Sequence, residues 1–217
     1  MNEKALKILK ILKKEYVKHS RPVSTFFQET TKDTFKVLIS TILSPRAKDT
    51  QTEKVSKKLF KIAATPEKLV KLNTKRLQKT VYSIGFYKVK SKRIKQASQY
   101  LLTNHKGRVP NKQEELMKIP GVGRKVANII LSECFKLSFI PVDVHMHRLP
   151  NRLGLIKTKK PIETEKALMK LYPKKEWRTL NKYFVVHGQN TCVPISPFCS
   201  KCAIEKYCNK VSVKRRR

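Results

Sequence analysis

Four cysteines in the last quarter of the chain restrict the possible folds more than any other feature of the sequence. They follow the pattern C-x6-C-x2-C-x5-C, at Cys192, Cys199, Cys202 and Cys208. Thiolates so close together suit one inorganic centre, because sulfur is a soft ligand for zinc and for iron–sulfur clusters. A [4Fe–4S] cluster takes one cysteine at each iron. This stretch is therefore expected to wrap around a metal centre.

The spacing of these cysteines favours a cluster over the alternatives. Zinc sites more often have two C-x2-C pairs separated by a longer spacer, whereas this array has one such pair. Two disulfides would need an oxidising compartment. The sequence shows neither a signal-peptide core nor an apolar run long enough to span a membrane. We therefore predict a [4Fe–4S] cofactor in an intracellular protein with no membrane partner, and Cys134, in an apolar run, as a core residue.

The charge of the chain indicates a polyanionic partner. Lys and Arg number 50 against 15 Asp and Glu, which gives a formal net charge of +35. Such an excess repels itself unless it meets opposite charge, and nucleic acid is the expected polyanion. A solvated, lysine-rich surface accounts for part of the excess but not for the shortage of acids. The composition therefore predicts nucleic-acid binding without indicating a sequence preference.

The hydrophobic pattern is helical almost throughout. Apolar residues recur at helical spacing, and no stretch sustains a period of two. Capping residues and prolines mark the boundaries, as at Thr65-Pro66. The predicted helices span 5–17, 34–43, 49–63, a segment opened by Thr65-Pro66, 74–83, 90–102, 111–117, 124–135, 143–152, 162–171 and 175–187. The sequence thus predicts a compact all-α protein without internal repeats.

Residues 116–130 read LMKIPGVGRKVANII and predict two short helices joined by a Pro-Gly-Val-Gly turn. Gly121 and Gly123 allow backbone conformations and close approaches that other residues resist. The turn exposes amides at the start of the second helix, which suits a phosphate oxygen. An ordinary helical hairpin with glycines in its turn is the structural alternative. We predict a helix-hairpin-helix that binds the DNA backbone.

Two ionisable residues near this hairpin are candidates for catalysis. Lys125 falls in the first turn of the second helix, where the positive end of the helix dipole favours the neutral amine that Schiff-base formation requires. The same position is equally compatible with a phosphate contact. Asp143, in Pro-Val-Asp-Val-His, is a scarce acid at a helix start, where its alternative role is an N-cap. The nearby His145 and His147 point to different sides of a helix, which argues against a metal site.

Together these motifs closely resemble the endonuclease III family of the helix-hairpin-helix DNA glycosylase superfamily. The resemblance rests on KIPGVGRKVA, PVDVH, the His-Gly before the four cysteines, and LISTILS with Lys-Asp in the first third, and it covers essentially the whole chain. It implies an all-α, helix-hairpin-helix DNA glycosylase fold. A six-helix barrel domain is expected at 24–136, with the hairpin at 113–135. Residues 1–23 and 137–217 are expected to form a helical [4Fe–4S] cluster domain from both termini.

The resemblance implies a bifunctional DNA glycosylase and apurinic/apyrimidinic lyase of base excision repair. Such an enzyme excises oxidised pyrimidines from double-stranded DNA and cleaves the strand 3′ to the abasic site by β-elimination. Lys125 matches the catalytic lysine, Asp143 the catalytic aspartate, and the four cysteines the cluster ligands. A monomer in the prokaryotic cytoplasm, near the nucleoid, is expected rather than a nuclear protein. The residues that match the DNA-binding hairpin are Gly121, Val122, Gly123 and Arg124.

One departure from the family concerns the gap left by the flipped nucleotide. Relatives usually fill this gap with a glutamine, and the aligned residue here is Arg46. Arginine also stacks and donates hydrogen bonds to the orphaned base, with a different partner preference. The loop at 84–87 is expected to supply a second wedge. Phe86 is the candidate residue there, and its alternative role is a core aromatic at a helix end.

Two other functions are compatible with the same motifs. One alternative is a glycosylase that removes mismatched thymine or uracil opposite guanine, and Arg46 is compatible with it. Because some such enzymes lack the catalytic lysine, Lys125 favours the bifunctional enzyme. A cluster-stabilised DNA-binding protein without catalysis would have the same charge and hairpin. The adenine-mismatch branch is disfavoured, since it carries a catalytic glutamate in the segment occupied here by 39–44.

Overall fold

The computed structural model of the protein describes residues 2–19 and 33–217, and these residues form helices without a β-strand. The all-α prediction is therefore confirmed. Within this part of the chain, no helix has both the length and the apolar character that crossing a membrane requires. The helices are α1 (Glu3–Tyr16), α2 (Thr34–Leu43), α3 (Asp49–Ile62), α4 (Pro66–Lys71), α5 (Thr74–Val81), α6 (Tyr87–His105), α7 (Gln113–Lys118), α8 (Arg124–Ile129), α9 (Val144–Arg152), α10 (Pro161–Leu171) and α11 (Lys174–Asn190).

Local sequence explains most of the helix starts. Asp33 caps α2 by accepting a hydrogen bond from the amide of Lys36, and Thr65 caps α4 with a proline at the first helical position. One difference from prediction is at α6. This helix begins three residues earlier than expected, because Phe86 precedes it in a left-handed conformation, with φ 59°. The helix predicted for 124–135 changes character within its span, from α8 to a π-helical turn at Ile130–Cys134.

The described chain forms two compact units, one of residues 2–19 and 138–217 and the other of residues 33–137. In the first unit, α11 packs against α1 and α9, and α9 also contacts α10. The apolar faces of these helices enclose one core, which stabilises the unit by removing that surface from water. Its buried residues are Ala5, Ile8, Leu9, Leu12, Ile140, Val142, Met146, Leu149, Leu153, Leu168, Tyr172, Leu180, Phe184 and Ile204.

In the second unit, α2 is the central helix. All its residues from Phe35 to Leu43 are buried except Lys36, and it contacts α3, α6 and α8. Helices α4 and α5 pack on α6, and α7 pairs with α8. Cys134 lies at the end of the π-helical turn and is only partly buried, not fully within the core as predicted. Burial nevertheless raises the pKa of its thiol to about 12.

Candidate active site and cysteine centre

The hairpin between α7 and α8 depends on its first glycine. Gly121 has φ 87°, a left-handed conformation that strains other residues. A Cβ atom there would also lie 3.4 Å from side-chain atoms of Arg93 and Ile42. Gly123 is the N-cap of α8, and a Cβ placed on it would have no atom within 4 Å. The backbone conformation of the turn therefore requires glycine at position 121, whereas the space around Gly123 at the start of α8 is unoccupied by protein atoms.

The predicted DNA-binding residues of this turn differ in their exposure. Gly121 and Gly123 are exposed and Arg124 is partly exposed, whereas the side chain of Val122 is buried. The amide of Val122 donates to the carbonyl of Ile119 at 3.0 Å. Val122 thus anchors the turn. The first amides of α8 lack intrahelical acceptors, as at any helix start, and suit an anionic oxygen.

The two candidate catalytic residues lie in different units. Lys125 is exposed in the first turn of α8, as predicted from the sequence. Asp143 is partly buried and is the N-cap of α9. Its Oδ1 accepts hydrogen bonds from the amides of His145 at 2.9 Å and Met146 at 2.8 Å. The predicted capping role is therefore present, and no hydrogen bond to Oδ2 occurs among the described residues.

The four cysteines of the C-terminal array line a single cavity. Its other walls include Leu149, Phe198 and Ile204. All four thiols are free of disulfides. Within the described residues, no three His, Cys, Asp or Glu side chains are close enough to share one metal ion. The four thiols therefore line one pocket without converging on the position of a single metal ion.

Hydrogen-bond donors approach two of these four sulfur atoms, and a histidine nitrogen lies near a third. The Arg152 guanidinium donates to Cys192 Sγ at 3.3 Å, and the Lys210 amide donates to Cys208 Sγ at 3.3 Å. His187 Nε2 lies 3.6 Å from Cys202 Sγ. Burial raises the pKa of the Cys202 thiol to about 11 and lowers that of His187 to about 4. A thiolate at Cys202 therefore requires a compensating cation, and a metal centre supplies one.

Two arginines of α9 hold the chain around Cys192, and the sequence analysis did not identify them. Arg148 donates to the carbonyls of Gly188 at 3.1 Å and Cys192 at 2.8 Å. Arg152, one turn later, is buried and donates to the carbonyls of Val193 at 2.9 Å and Pro194 at 3.0 Å. The helix that Asp143 caps therefore binds directly to the cysteine array. The only sequence signal was two arginines four residues apart on the same helix face.

Close packing of α11 on α9 requires a glycine at position 188. A Cβ atom on Gly188 would lie 2.5 Å from His145 Nδ1 and 3.1 Å from His145 Cβ. Arg148 hydrogen-bonds the same imidazole nitrogen at 3.0 Å, so the ring cannot move without losing that contact. Helix propensity favours alanine over glycine by about 1 kcal/mol, while overpacking costs about 1–3 kcal/mol. The steric cost is expected to prevail.

We therefore expect Gly188→Ala to destabilise the protein. The melting temperature should fall by up to roughly 8 °C, because the net cost is at most about 2 kcal/mol and each kcal/mol lowers it by about 2–4 °C in a chain of this size. Gly85→Ala is the matched control, because the nearest atom to its Cβ would be the Arg46 carbonyl oxygen at an ordinary 3.5 Å. Thermal unfolding followed by circular dichroism measures both variants. Equal melting temperatures for Gly188→Ala and the unmodified protein would contradict the steric argument.

The structure brings together the two predicted wedge residues. The Arg46 guanidinium carbon lies 5.2 Å from the centroid of the Phe86 ring, within the range of a cation–π contact. Both side chains are exposed, Phe86 to 59%. Phe86 is thus not a core aromatic. Both residues have left-handed backbones, with φ 58° and φ 59°.

Lys90 is a further residue that the sequence analysis missed. Its side chain is only 4% exposed, and its amine has no hydrogen-bond partner among the described residues. Burial lowers the pKa of this amine. No sequence signal marks Lys90 as buried, because it lies in a helix with several other lysines. Lys90 is therefore a second candidate, after Lys125, for a reaction that needs a neutral lysine amine.

Comparison with known proteins identifies the family. The HhH-GPD superfamily of base excision DNA repair proteins matches residues 39–174. Endonuclease III of Thermotoga maritima is 46% identical over 176 residues, which are 81% of this chain and 83% of that protein. Endonuclease III of Buchnera aphidicola subsp. Schizaphis graminum is 38% identical over 209 residues, 96% of this chain and 97% of that protein.

A solved structure agrees in fold as well as in sequence. The structure of a trapped endonuclease III–DNA covalent intermediate superposes with a TM-score of 0.83 at 32% identity, covering 97% of each chain. The similarity therefore extends over the hairpin, over α9 and over the cysteine array. The chain belongs to the endonuclease III family, within the HhH-GPD superfamily of base excision DNA repair proteins.

Proposed function

We propose that this protein is a bifunctional DNA glycosylase and apurinic/apyrimidinic lyase of base excision repair. Its substrates are oxidised pyrimidines and abasic sites in double-stranded DNA. Membership of the endonuclease III family carries the proposal, since a relative of the same fold at 32% identity forms a covalent intermediate with DNA. An exposed lysine just after the hairpin turn supplies the nucleophile that such an intermediate needs.

Lys125 and Asp143 divide the chemistry between them. The damaged nucleotide rotates out of the duplex, and the neutral amine of Lys125 attacks C1′ of its deoxyribose. The bond from C1′ to the base breaks, and its electron pair leaves with the base. The amine loses a proton and the C1′–O4′ bond breaks, with O4′ taking up a proton, which leaves a Schiff base between the amine and C1′. Loss of a C2′ proton then expels the 3′ phosphate and cuts the strand, and water releases the lysine from the Schiff base. The carboxylate of Asp143 stabilises the positive charge that develops on the sugar.

The hairpin and the surface charge account for DNA binding. We propose that the amides of Gly121 and Gly123 and the side chain of Arg124 contact phosphate oxygens, which their exposure around the start of α8 supports. A formal net charge of +35 adds sequence-independent attraction. We infer that the protein acts as a monomer on chromosomal DNA in a bacterial cytoplasm, since the two relatives compared above are bacterial.

The cysteine array fits a [4Fe–4S] cluster. Four free thiols line one pocket, and the Arg152 guanidinium and a backbone amide donate hydrogen bonds to two of these sulfurs. Cys192, Cys199, Cys202 and Cys208 would hold the cluster. When bound, it supplies a rigid cross-link between segments of the chain and takes no part in breaking the glycosidic bond. We propose that it organises a domain of residues 1–23 and 137–217, and that residues 24–136 form a separate barrel domain.

A mismatch glycosylase is the second candidate function, and Arg46 favours it. An arginine at the position where the family usually has glutamine alters recognition of the base opposite the lesion. Enzymes that remove thymine or uracil from pairs with guanine require such recognition. Excision of unmodified thymine opposite guanine, with no excision of thymine glycol, would favour this alternative.

Borohydride trapping on two duplexes tests the proposed function. One duplex carries thymine glycol and the other an abasic site, which needs no base recognition. Reduction converts the Schiff base into a stable protein–DNA adduct, so we expect both duplexes to be captured. Capture of the abasic duplex alone would retain the lyase and narrow the lesion range. Capture of neither, by protein that binds both duplexes, would overturn the proposal.

A further inference from the structure

Residues 211–217 run across the pocket that the four cysteines line. The segment begins beside α9, where the amide of Val211 donates to the carbonyl of Arg152 at 2.9 Å. It reaches the loop between the first two cysteines of the array, where the amide of Arg217 donates to the carbonyl of Pro197 at 2.8 Å. Arg152 and Pro197 both line the pocket, so the segment extends from one of its walls to another.

Arg217 attaches the far part of the segment through its side chain as well as its backbone. Its guanidinium carbon lies 4.0 Å from the centroid of the Phe198 ring, which is a cation–π contact, and Phe198 lines the pocket. Its Nε donates to the carbonyl of Ser196 at 3.1 Å, and its own carbonyl accepts from the amide of Ser200 at 3.0 Å. These contacts join the segment to the array on both sides of Cys199.

The middle of the segment lies between the pocket and solvent. Val213 lines the pocket, while Ser212 and Lys214 on either side of it are exposed. Arg216 adds an ion pair with Glu205, which also lines the pocket, with 3.7 Å between nitrogen and oxygen. A segment with one residue on the pocket and its neighbours in water forms part of the wall that a solute must pass.

We propose that residues 211–217 form a strap that keeps small solutes away from the metal centre held by the four cysteines. The inference rests on the proposed [4Fe–4S] cluster and concerns its lifetime, not the reaction on DNA. The shell around a metal site controls solvent access, and solvent exposure changes the reduction potential of an iron–sulfur cluster. Because surface hydrogen bonds and one aromatic contact attach the strap, it opens locally, without unfolding of the whole unit.

Ferricyanide bleaching of anaerobically purified protein measures how often the strap opens. Ferricyanide takes one electron from the cluster and becomes ferrocyanide, and the oxidised cluster then loses iron and its visible absorbance. We expect Arg217→Ala to bleach about 5-fold faster than the unmodified protein, because losing the ring contact and a hydrogen bond populates the open strap. Arg217→Pro also removes the amide donor and should bleach faster still.

Lys214→Ala is the matched control for these variants. It removes the same single charge from the same strap, and the Lys214 side chain makes no hydrogen bond, ion pair or ring contact among the described residues. Ferricyanide is an anion, so the loss of one positive charge by itself slows its approach. Lys214→Ala should therefore bleach no faster than the unmodified protein.

Thermal melting separates opening of the strap from general unfolding. Arg217→Ala should melt within about 2 °C of the unmodified protein, as expected for a substitution at an exposed site. A melting temperature as low as that of a variant without the cluster would assign faster bleaching to unfolding and overturn the inference.

Two bleaching results would also overturn the inference: an unchanged rate in both Arg217 variants, or an equal increase in Lys214→Ala. Protein isolated without iron would reject the cluster and the strap's role together. Borohydride trapping reports on the proposed enzyme and not on the strap. Failed trapping beside faster bleaching in Arg217→Ala would therefore reject the proposed reaction and retain the strap.

Discussion

Replacing Lys125 with alanine or glutamine is expected to abolish strand nicking and borohydride trapping. Without the amine no Schiff base forms, so the loss should be on the order of 10³-fold or more. Binding to an abasic duplex should change by only a few-fold, because the other 49 lysines and arginines still attract the phosphates. Lys125 is exposed, so its replacement should leave stability within about 0.5 kcal/mol. Gel analysis measures nicking and trapping, and a binding titration measures the affinity for the abasic duplex.

Lys90→Met is the matched control for this prediction. Burial lowers the pKa of the Lys90 amine and so favours its neutral form, which makes Lys90 the rival candidate for the nucleophile. Methionine keeps most of the buried chain length and removes the amine. We expect Lys90→Met to nick and to be trapped like the unmodified protein, because the buried Lys90 amine cannot reach a deoxyribose. If Lys125→Gln still nicks DNA, or if only Lys90→Met loses nicking, then Lys125 is not the nucleophile.

The hairpin could be predicted from the sequence because its constraints are local. Gly121 is needed for its left-handed backbone, and the capping residues Asp33 and Thr65 stand at their helix starts as the pattern indicated. Such features depend on residues within a few positions of one another. Periodicity likewise placed most helix boundaries within three residues, apart from the shorter α8 and the fourth helix, whose end was not predicted.

Contacts between distant segments could not be predicted in the same way. Arg152 reaches Cys192 across 40 residues, and Arg46 meets Phe86 across the same separation. No local pattern indicates which of the 50 basic residues is buried against a carbonyl and which faces solvent. The burial of Lys90 belongs to the same class, since it depends on how α6 packs with its neighbours. Function was recognisable because its motifs are local, whereas the supporting contacts are tertiary.

Replacing Cys202 with alanine is expected to remove the cluster and weaken the unit that surrounds it. Three of the four array cysteines, Cys192, Cys202 and Cys208, pack against the hydrophobic core formed by α1, α9, α10 and α11. A structural metal centre supplies on the order of 10 kcal/mol to a small domain, and losing even a third of that would lower the melting temperature by roughly 6–12 °C. Iron should fall from about four atoms per chain towards zero, with loss of the brown absorbance.

Cys134→Ala distinguishes a ligand role from a general effect of losing a thiol. Cys134 is the remaining cysteine, free of disulfides and located in the other unit. It lines no part of the cavity that the array encloses. We expect Cys134→Ala, purified anaerobically in parallel, to keep its iron and colour, because the four sulfurs of the array are untouched. Full iron content in Cys202→Ala would show that three cysteines suffice to hold the cluster. If the unmodified protein contains zinc and no iron, the four cysteines form a tetrahedral zinc site and not a [4Fe–4S] cluster site.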